Sequence, residues 1–143
     1  METSLFMVTV SARIKKGDSY LLHQRSLTDR SRPGERSIVG GKLEPNLWYQ
    51  WLEINIKKEI AEEVGIQITD NIQLIHNNVR MSFSGEKNRL RLLYLCERKS
   101  WEAQSLEDTN DVQWVLWNEL NIFTPMNELL KEDIQSLQTY SIK

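Results

Sequence analysis

The segment KKEIAEEVGI, residues 57–66, crowds Glu59, Glu62 and Glu63 into little more than one helical turn and stops at Gly65. Carboxylates one turn apart on a helix repel by roughly 0.2–0.5 kcal/mol per pair, so a purely structural helix has little reason to collect them. At 100° per residue, Lys58, Glu59, Glu62 and Glu63 fall within an arc of about 140°, with Ile56, Ile60, Ala61 and Val64 on the other side. One face packs on a sheet; the other presents three carboxylates with an amine beside them. The bland reading is a solvated surface stabilised by lysines. The chemical reading is a site for a hard divalent cation such as Mg²⁺, which takes carboxylate oxygens together with water and substrate phosphate.

The rest of the chain supplies a sheet for that helix. LFMVTVSARI alternates, KKGD is a turn and SYLLHQR is a second strand, so residues 4–25 read as a hairpin. TDRSRPGE is loop, SIVGGKL a short strand running into a glycine pair, and LWYQWLEINIKKEIAEEV a long helical candidate capped by Gly65. IQITDNIQLI and NVRMSF read as strands, GEK as a turn, RLRLLYLCER as a central strand, and VQWVLW as a last short strand after the loop SWEAQSLEDTND. PMNELLKEDIQSLQ is a terminal helix beginning just after Pro125. No repeat or linker divides residues 1–143, and the length suits one domain. The pattern is α+β: a mixed β-sheet with helices on its faces.

Charge is informative locally. The net charge of −2 argues against a general nucleic-acid binder. Residues 24–42 nevertheless set Arg25, Arg30, Arg32, Arg36 and Lys42 against Asp29 and Glu35. A basic loop followed by an acidic helix suits a phosphate-plus-metal ligand, although a solvated loop would also explain it. The lone Cys96 forms no intrachain disulfide, and METSLFMVTVSARIKK reads as a strand rather than a signal peptide or membrane span, so a cytoplasmic location is the expectation.

The glycine pair at 40–41 followed by KKEIAEEVGI resembles the Nudix hydrolase signature, G-x5-E-x7-R-E-U-x-E-E-x-G-U with U aliphatic. Lys58 stands for the Arg, Glu59 for the Glu, Ile60 for U, Glu62-Glu63 for the acidic pair, Gly65 for the Gly and Ile66 for the last U. The resemblance extends over roughly residues 5–130 and implies an α/β/α sandwich. It also implies Mg²⁺-dependent hydrolysis (Mn²⁺ substituting) of a diphosphate bond in a nucleoside diphosphate linked to another group.

By the same resemblance, Glu59, Glu62, Glu63 and the Gly41 carbonyl are metal ligands, and Lys58, Glu59 and Glu63 carry the chemistry. Lys58 holds Glu59 without the two-pronged grip of Arg. Glu59 is the base in the MutT-like branch; other branches use a glutamate from a late loop, where this chain has Glu107 and Asp108. Arg25 resembles a phosphate-contacting Arg, and Lys42, Glu44, Glu107 and Asp108 complete the substrate-binding set. Specificity is expected from residues 26–37, 76–88 and 100–110.

The first half of the signature departs. Three residues are inserted between the glycines and Lys58, Asn46-Leu47 replace the expected Gly-Glu, and counting back from Lys58 puts Gln50 at the first Glu. Glu44 and Glu53 are the nearby carboxylates, and Val39 replaces a frequent proline. Extended backwards, a regular helix sets Leu47, Trp48, Trp51 and Leu52 with the glutamates and Glu53 with the apolar residues. Either the helix breaks near Glu53–Asn55, the favoured reading, or the tryptophans pack beyond the core sheet, on a base or in a homodimer contact.

The missing Glu and the Arg-to-Lys change also motivate an alternative, a catalytically impaired domain that binds a nucleotide or a regulatory partner. His23 and His76 read as packing or surface, Cys96 as a buried hydrophobe, Trp114 and Trp117 as core, and Trp101 as a loose candidate for base stacking. The position of Cys96 counts against a Nudix-fold isoprenoid diphosphate isomerase.

Overall fold

Alternation along the first strand decides what each face of the sheet is made of. The computed structural model describes residues 6–30, 32–43, 50–81, 88–107, 109–122 and 128–142, so Glu44, Trp48 and Asp108 lie outside the described residues. In β1 (Phe6–Lys16), Val10, Ala12 and Ile14 face one side, Ser11 and Arg13 the other. β2 (Ser19–Arg25) stays beside β1 for two pairs, Lys15 with Tyr20 and Lys16 with Ser19. β4 (Val39–Lys42) runs antiparallel to β1 along Thr9–Ala12. β2 instead pairs with β3 (Arg36–Ser37) and β8 (Thr109–Leu116).

On its other edge β1 lies parallel to β7 (Asn88–Ser100), from Phe6 beside Asn88 to Lys15 beside Glu97. β6 (Gln73–Met81) and β5 (Gln67–Ile68) pair antiparallel with β7, completing a mixed sheet of eight strands among the described residues.

One helix covers each face. α1 (Trp51–Val64) buries Ile56, Ile60 and Val64 against Val10, Ala12, Ile14, Leu21, Val39, Tyr94 and Cys96. α2 (Glu128–Ile142) buries Leu130, Ile134 and Leu137 against Tyr20, Leu22, Ile38, Leu93 and Val115. This is the α/β/α sandwich that the signature implies. Gly65 caps α1 at φ 70, donating its N–H to Ala61 O at 3.1 Å, as the sequence leads one to expect. No helix among the described residues is long and apolar enough to cross a membrane.

Three expectations need correction. α1 runs unbroken through Glu53–Asn55; it begins at Trp51 after Gln50 in a left-handed conformation (φ 48), so the favoured break is not there. Leu52 packs on the core beneath α1, and Asn55 is buried, its Nδ2 donating to Trp51 O at 2.8 Å. The second correction concerns β6, which runs continuously through His76 and Asn77, so the strand boundary falls at 69–72 rather than before Asn78. The third is Trp117, which opens a 3₁₀ turn (Trp117–Ile122) while still packing on the second core. The terminal helix is described from Glu128; its expected start after Pro125 lies outside the described residues.

The α2 face carries buried charge. Arg91 Nη1 and Nη2 donate to Asp133 Oδ1 and Oδ2 at 2.6 and 2.7 Å, a planar two-pronged pair linking β7 to α2. Beside them Arg13 is fully buried, and none of its three side-chain nitrogens has a hydrogen-bond partner. Burial pulls its pKa down to about 10, while Asp133 pulls it up.

Asp133 thus serves two cations, and removing it strands both. Asp133→Asn is expected to lose about 3–5 kcal/mol of stability in urea unfolding, the usual consequence of breaking a buried pair. Arg13→Met should leave stability unchanged or raise it.

Candidate active site

β4 reaches its place on β1 because residue 40 has no side chain. A Cβ at Gly40 would stand 2.4 Å from the Val10 carbonyl oxygen and 2.9 Å from Ser11 Oγ. The next glycine has a different tenant. A Cβ at Gly41 would stand 2.5 Å from Glu59 Cδ and 2.6 Å from each Glu59 oxygen, so the carboxyl group of α1 fills the volume a side chain would need. One turn on, Glu63 Oε2 accepts the Gly40 N–H at 3.3 Å. Residues 59 and 63 stack on one flank of the buried stripe Ile56–Ile60–Val64, which is why both meet the glycine pair.

The third expected carboxylate stands apart. Glu62 lies 3.6 Å from Lys58 Nζ, both side chains 41% exposed. Among the described residues no three His, Cys, Asp or Glu side chains converge on one point. The expected cluster of three is therefore a pair, Glu59 and Glu63, with Lys58 in an ion pair with Glu62. Glu53 lies near the Tyr94 phenol, whose pKa it raises together with burial, and Gln50 is the exposed residue before α1.

The carboxylate pair is electrostatically uncomfortable. Burial first, then the charge of Glu59, push Glu63 up to about 8, against the Gly40 hydrogen bond and the nearby charge of Arg25. Two stacked carboxylates with backbone oxygens at hand fit a hard divalent cation, which would relieve that repulsion.

Two elements close in on Glu63. Arg25, at the end of β2, is held by Asp29 Oδ2 at 2.7 Å. The late loop is bonded to the end of α1: Gln104 N–H donates to Val64 O at 2.9 Å and Leu106 N–H to Glu63 O at 3.1 Å. These bonds satisfy carbonyls the helix leaves open. They also bring Glu107 close enough for its charge to raise Glu63 further.

From the glycine pair a cleft of about 800 Å³ opens over the α2 face of the sheet. Arg25, Arg32, Lys42, Arg80, Arg89 and Arg91 line it, against Asp133 as the one carboxylate among the lining residues. Residues 26–37 contribute Arg32 and Ser37 to the lining and residues 76–88 contribute Asn78, Arg80 and Met81, which belong to a strand; among the described residues 100–110 contributes none. Trp101, 63% exposed at φ 69, is not in that wall.

The sequence reading missed Arg89, Arg91 and Asp133. Two arginines at alternate positions of a strand were a usable signal; their helix partner was not. His23 is buried, donates Nε2–H to Ile38 O at 3.1 Å and is held neutral by burial, its pKa near 4, which makes it a packing residue. Cys96 is buried, and burial pushes its thiol up to about 12.

The NUDIX domain model matches residues 5–137. The chain belongs to the NUDIX family. It is a hydrolase by that membership, as expected. Among solved structures, this Nudix chain resembles the MutT NUDIX hydrolase from Burkholderia pseudomallei at 20% identity and TM-score 0.75, covering 93% of this chain and 98% of that one. It resembles the MutT protein from Methanosarcina mazei Go1 at 16% identity and TM-score 0.78 over the whole of both chains. It also resembles the NUDIX domain of NrtR from Shewanella oneidensis, solved with ADP ribose, at 16% identity and TM-score 0.74, covering 96% and 90%. No curated protein sequence matches it.

The two glycines should respond differently to the same methyl group. Gly41→Ala is expected to keep a near-native Tm while displacing Glu59 and losing activity to the level of Glu59→Gln. Gly40→Ala, which must push against the backbone of β1, should lower Tm markedly; parallel thermal melts and activity assays separate the two.

Glu63 also sets a pH dependence. A carboxyl raised from 4.5 to about 8 on folding stabilises fully below its unfolded pKa and loses that contribution as pH rises toward 8. In chelator, the Tm of the wild type should therefore fall relative to Glu63→Gln between about pH 5 and pH 8.

Proposed function

We propose that this Nudix hydrolase cleaves the diphosphate bond of a small molecule, a nucleoside diphosphate linked to another group, and that it depends on Mg²⁺, with Mn²⁺ able to substitute. The observation that carries the reading is the seating of Glu59 and Glu63 on the glycine pair at one end of a cationic cleft. The binding of ADP ribose by a domain of the same fold supports a nucleotide-type ligand.

Glu59, Glu63 and the Gly41 carbonyl would hold the cation, with Glu62 further out. When bound, such an ion neutralises phosphate charge and lowers the pKa of water. Arg25 binds the phosphates from the end of β2, and Lys42 adds charge at the rim. The Glu59 carboxylate, held in place by Gly41, takes a proton from the attacking water as general base. Glu107 is the alternative base, since the late loop delivers it to the same carboxylate pair. We read the chain as one domain over residues 1–143, cytoplasmic, with no nucleic-acid partner.

One observation favours the impaired, ligand-binding alternative: only two of the three signature carboxylates meet at the glycine pair, among the described residues. Product release from nucleoside triphosphates, nucleotide sugars and dinucleotides with Mg²⁺ decides between the readings. Hydrolysis is the expected result, with Glu59→Gln lowering kcat by on the order of 10²–10⁴-fold and Glu107→Gln by far less. The reverse order would move the base to the late loop. Micromolar binding without turnover would make the chain a binding domain.

A further inference from the structure

We infer that the substrate of this site carries a second anionic group, a phosphomonoester set away from the scissile diphosphate, and that Arg89 and Arg80 receive it; the inference rests on the hydrolase reading above. Arg80 and Arg89 are direct partners across the β6–β7 ladder, and both line the cleft. Like charges directly opposite each other weaken a sheet. Glu132 of α2 relieves Arg80 alone, and that carboxylate is already shared with His76 Nε2 and Asn78 Nδ2. Arg91 has Asp133. The side chain of Arg89, two residues away on the same face of β7, has no ion-pair or hydrogen-bond partner among the described residues. The fold thus compensates two of three neighbouring arginines with carboxylates from α2 and leaves the third open toward the cleft.

The placement indicates what the open pair can reach. Gly41 lies beside Val10, while Arg89 lies beside Met7. Arg89 is therefore two strand spacings across the sheet and three residues along it from Gly41, about 10 Å in each direction and roughly 14 Å in all. A diphosphate seated at the glycine-pair end of the cleft would be separated from the arginines by about the length of a nucleoside. Two adjacent guanidinium groups match the several oxygens of a dianionic phosphomonoester better than a single carboxylate. The substrate class is then a nucleoside diphosphate derivative phosphorylated again on its ribose.

Pairs of compounds that differ only in that phosphate test the inference: ADP-ribose with its 2′-phosphate, NADH with NADPH, and dephospho-coenzyme A with coenzyme A. The wild type should prefer the phosphorylated member of at least one pair by about tenfold or more in kcat/KM. Arg89→Gln should bring that ratio close to one, while Lys99→Gln, an exposed site at the far end of β7, should leave it unchanged.

If nothing is hydrolysed, the same ratio is read as Kd by calorimetry, so a retained preference without turnover fails the hydrolase reading and supports this one. Turnover or binding without preference in every pair overturns the inference, as does binding of no member. Without ligand, the Tm of Arg89→Gln should equal or exceed that of the wild type, because a like-charge contact is removed. A fall in Tm with an unchanged ratio would mark Arg89 as structural and also overturn the inference.

Discussion

The Glu59 carboxyl group lies in the volume that any side chain at residue 41 would claim, and most of the site depends on that exchange. Its precondition is one residue earlier. β4 can approach β1 only without a Cβ at residue 40, since the obstacle there is the Val10 carbonyl, which a sheet cannot move. Once β4 is in place, Gly40 offers its N–H to Glu63 and Gly41 offers room to Glu59. The two carboxylates are then held together by backbone, in a partly buried setting where their mutual repulsion is expensive and a cation is favoured. Packing of Ile56, Ile60 and Val64 on the sheet fixes the helix phase that makes this possible.

The opposite face handles charge in another way. The chain is slightly acidic overall, yet the cleft wall over α2 gathers six cations. Two consecutive residues of α2, Glu132 and Asp133, each answer an arginine of the sheet, so the helix is docked by ion pairs as well as by Leu130, Ile134 and Leu137. The compensation is incomplete: the Arg89 side chain has no carboxylate partner among the described residues. A cavity with uncompensated cations beside low-dielectric packing focuses a positive potential and draws in anions.

Much of this was legible from local pattern. Alternation over residues 5–14 marked most of β1, although Lys15 and Lys16 extend the strand into the expected turn, and the left-handed Gly65 ended α1 where its composition said it would. Positions 58–66 also matched a signature dense enough to name the family before any fold was known. The failures share a cause. The strand boundary at 69–72, the pairing of Arg91 with a residue 42 positions away, and the separation of Glu62 from Glu59 are all set by tertiary partners. A helical wheel places Glu62 within reach of its neighbours; only the position of β4 decides which two of the three are drawn in.

The irregular first half of the signature becomes intelligible once the helix is seen to be anchored at its far end. The last turns of α1 are tied down by the Gly65 cap, by Gln104 and Leu106 of the late loop, and by the two carboxylate contacts to β4. At its beginning Gln50 offers no side-chain cap, and Glu53 lies near Tyr94. Glu59 and Glu63 take their places from this anchored end and from β4. The same reasoning covers Lys58. An exposed Lys58–Glu62 pair is too weak and too loosely directed to orient anything. An Arg fork at that position is dispensable if Glu59 is oriented by the empty space at Gly41, because a rigid backbone gap restricts a carboxylate without needing to grip it.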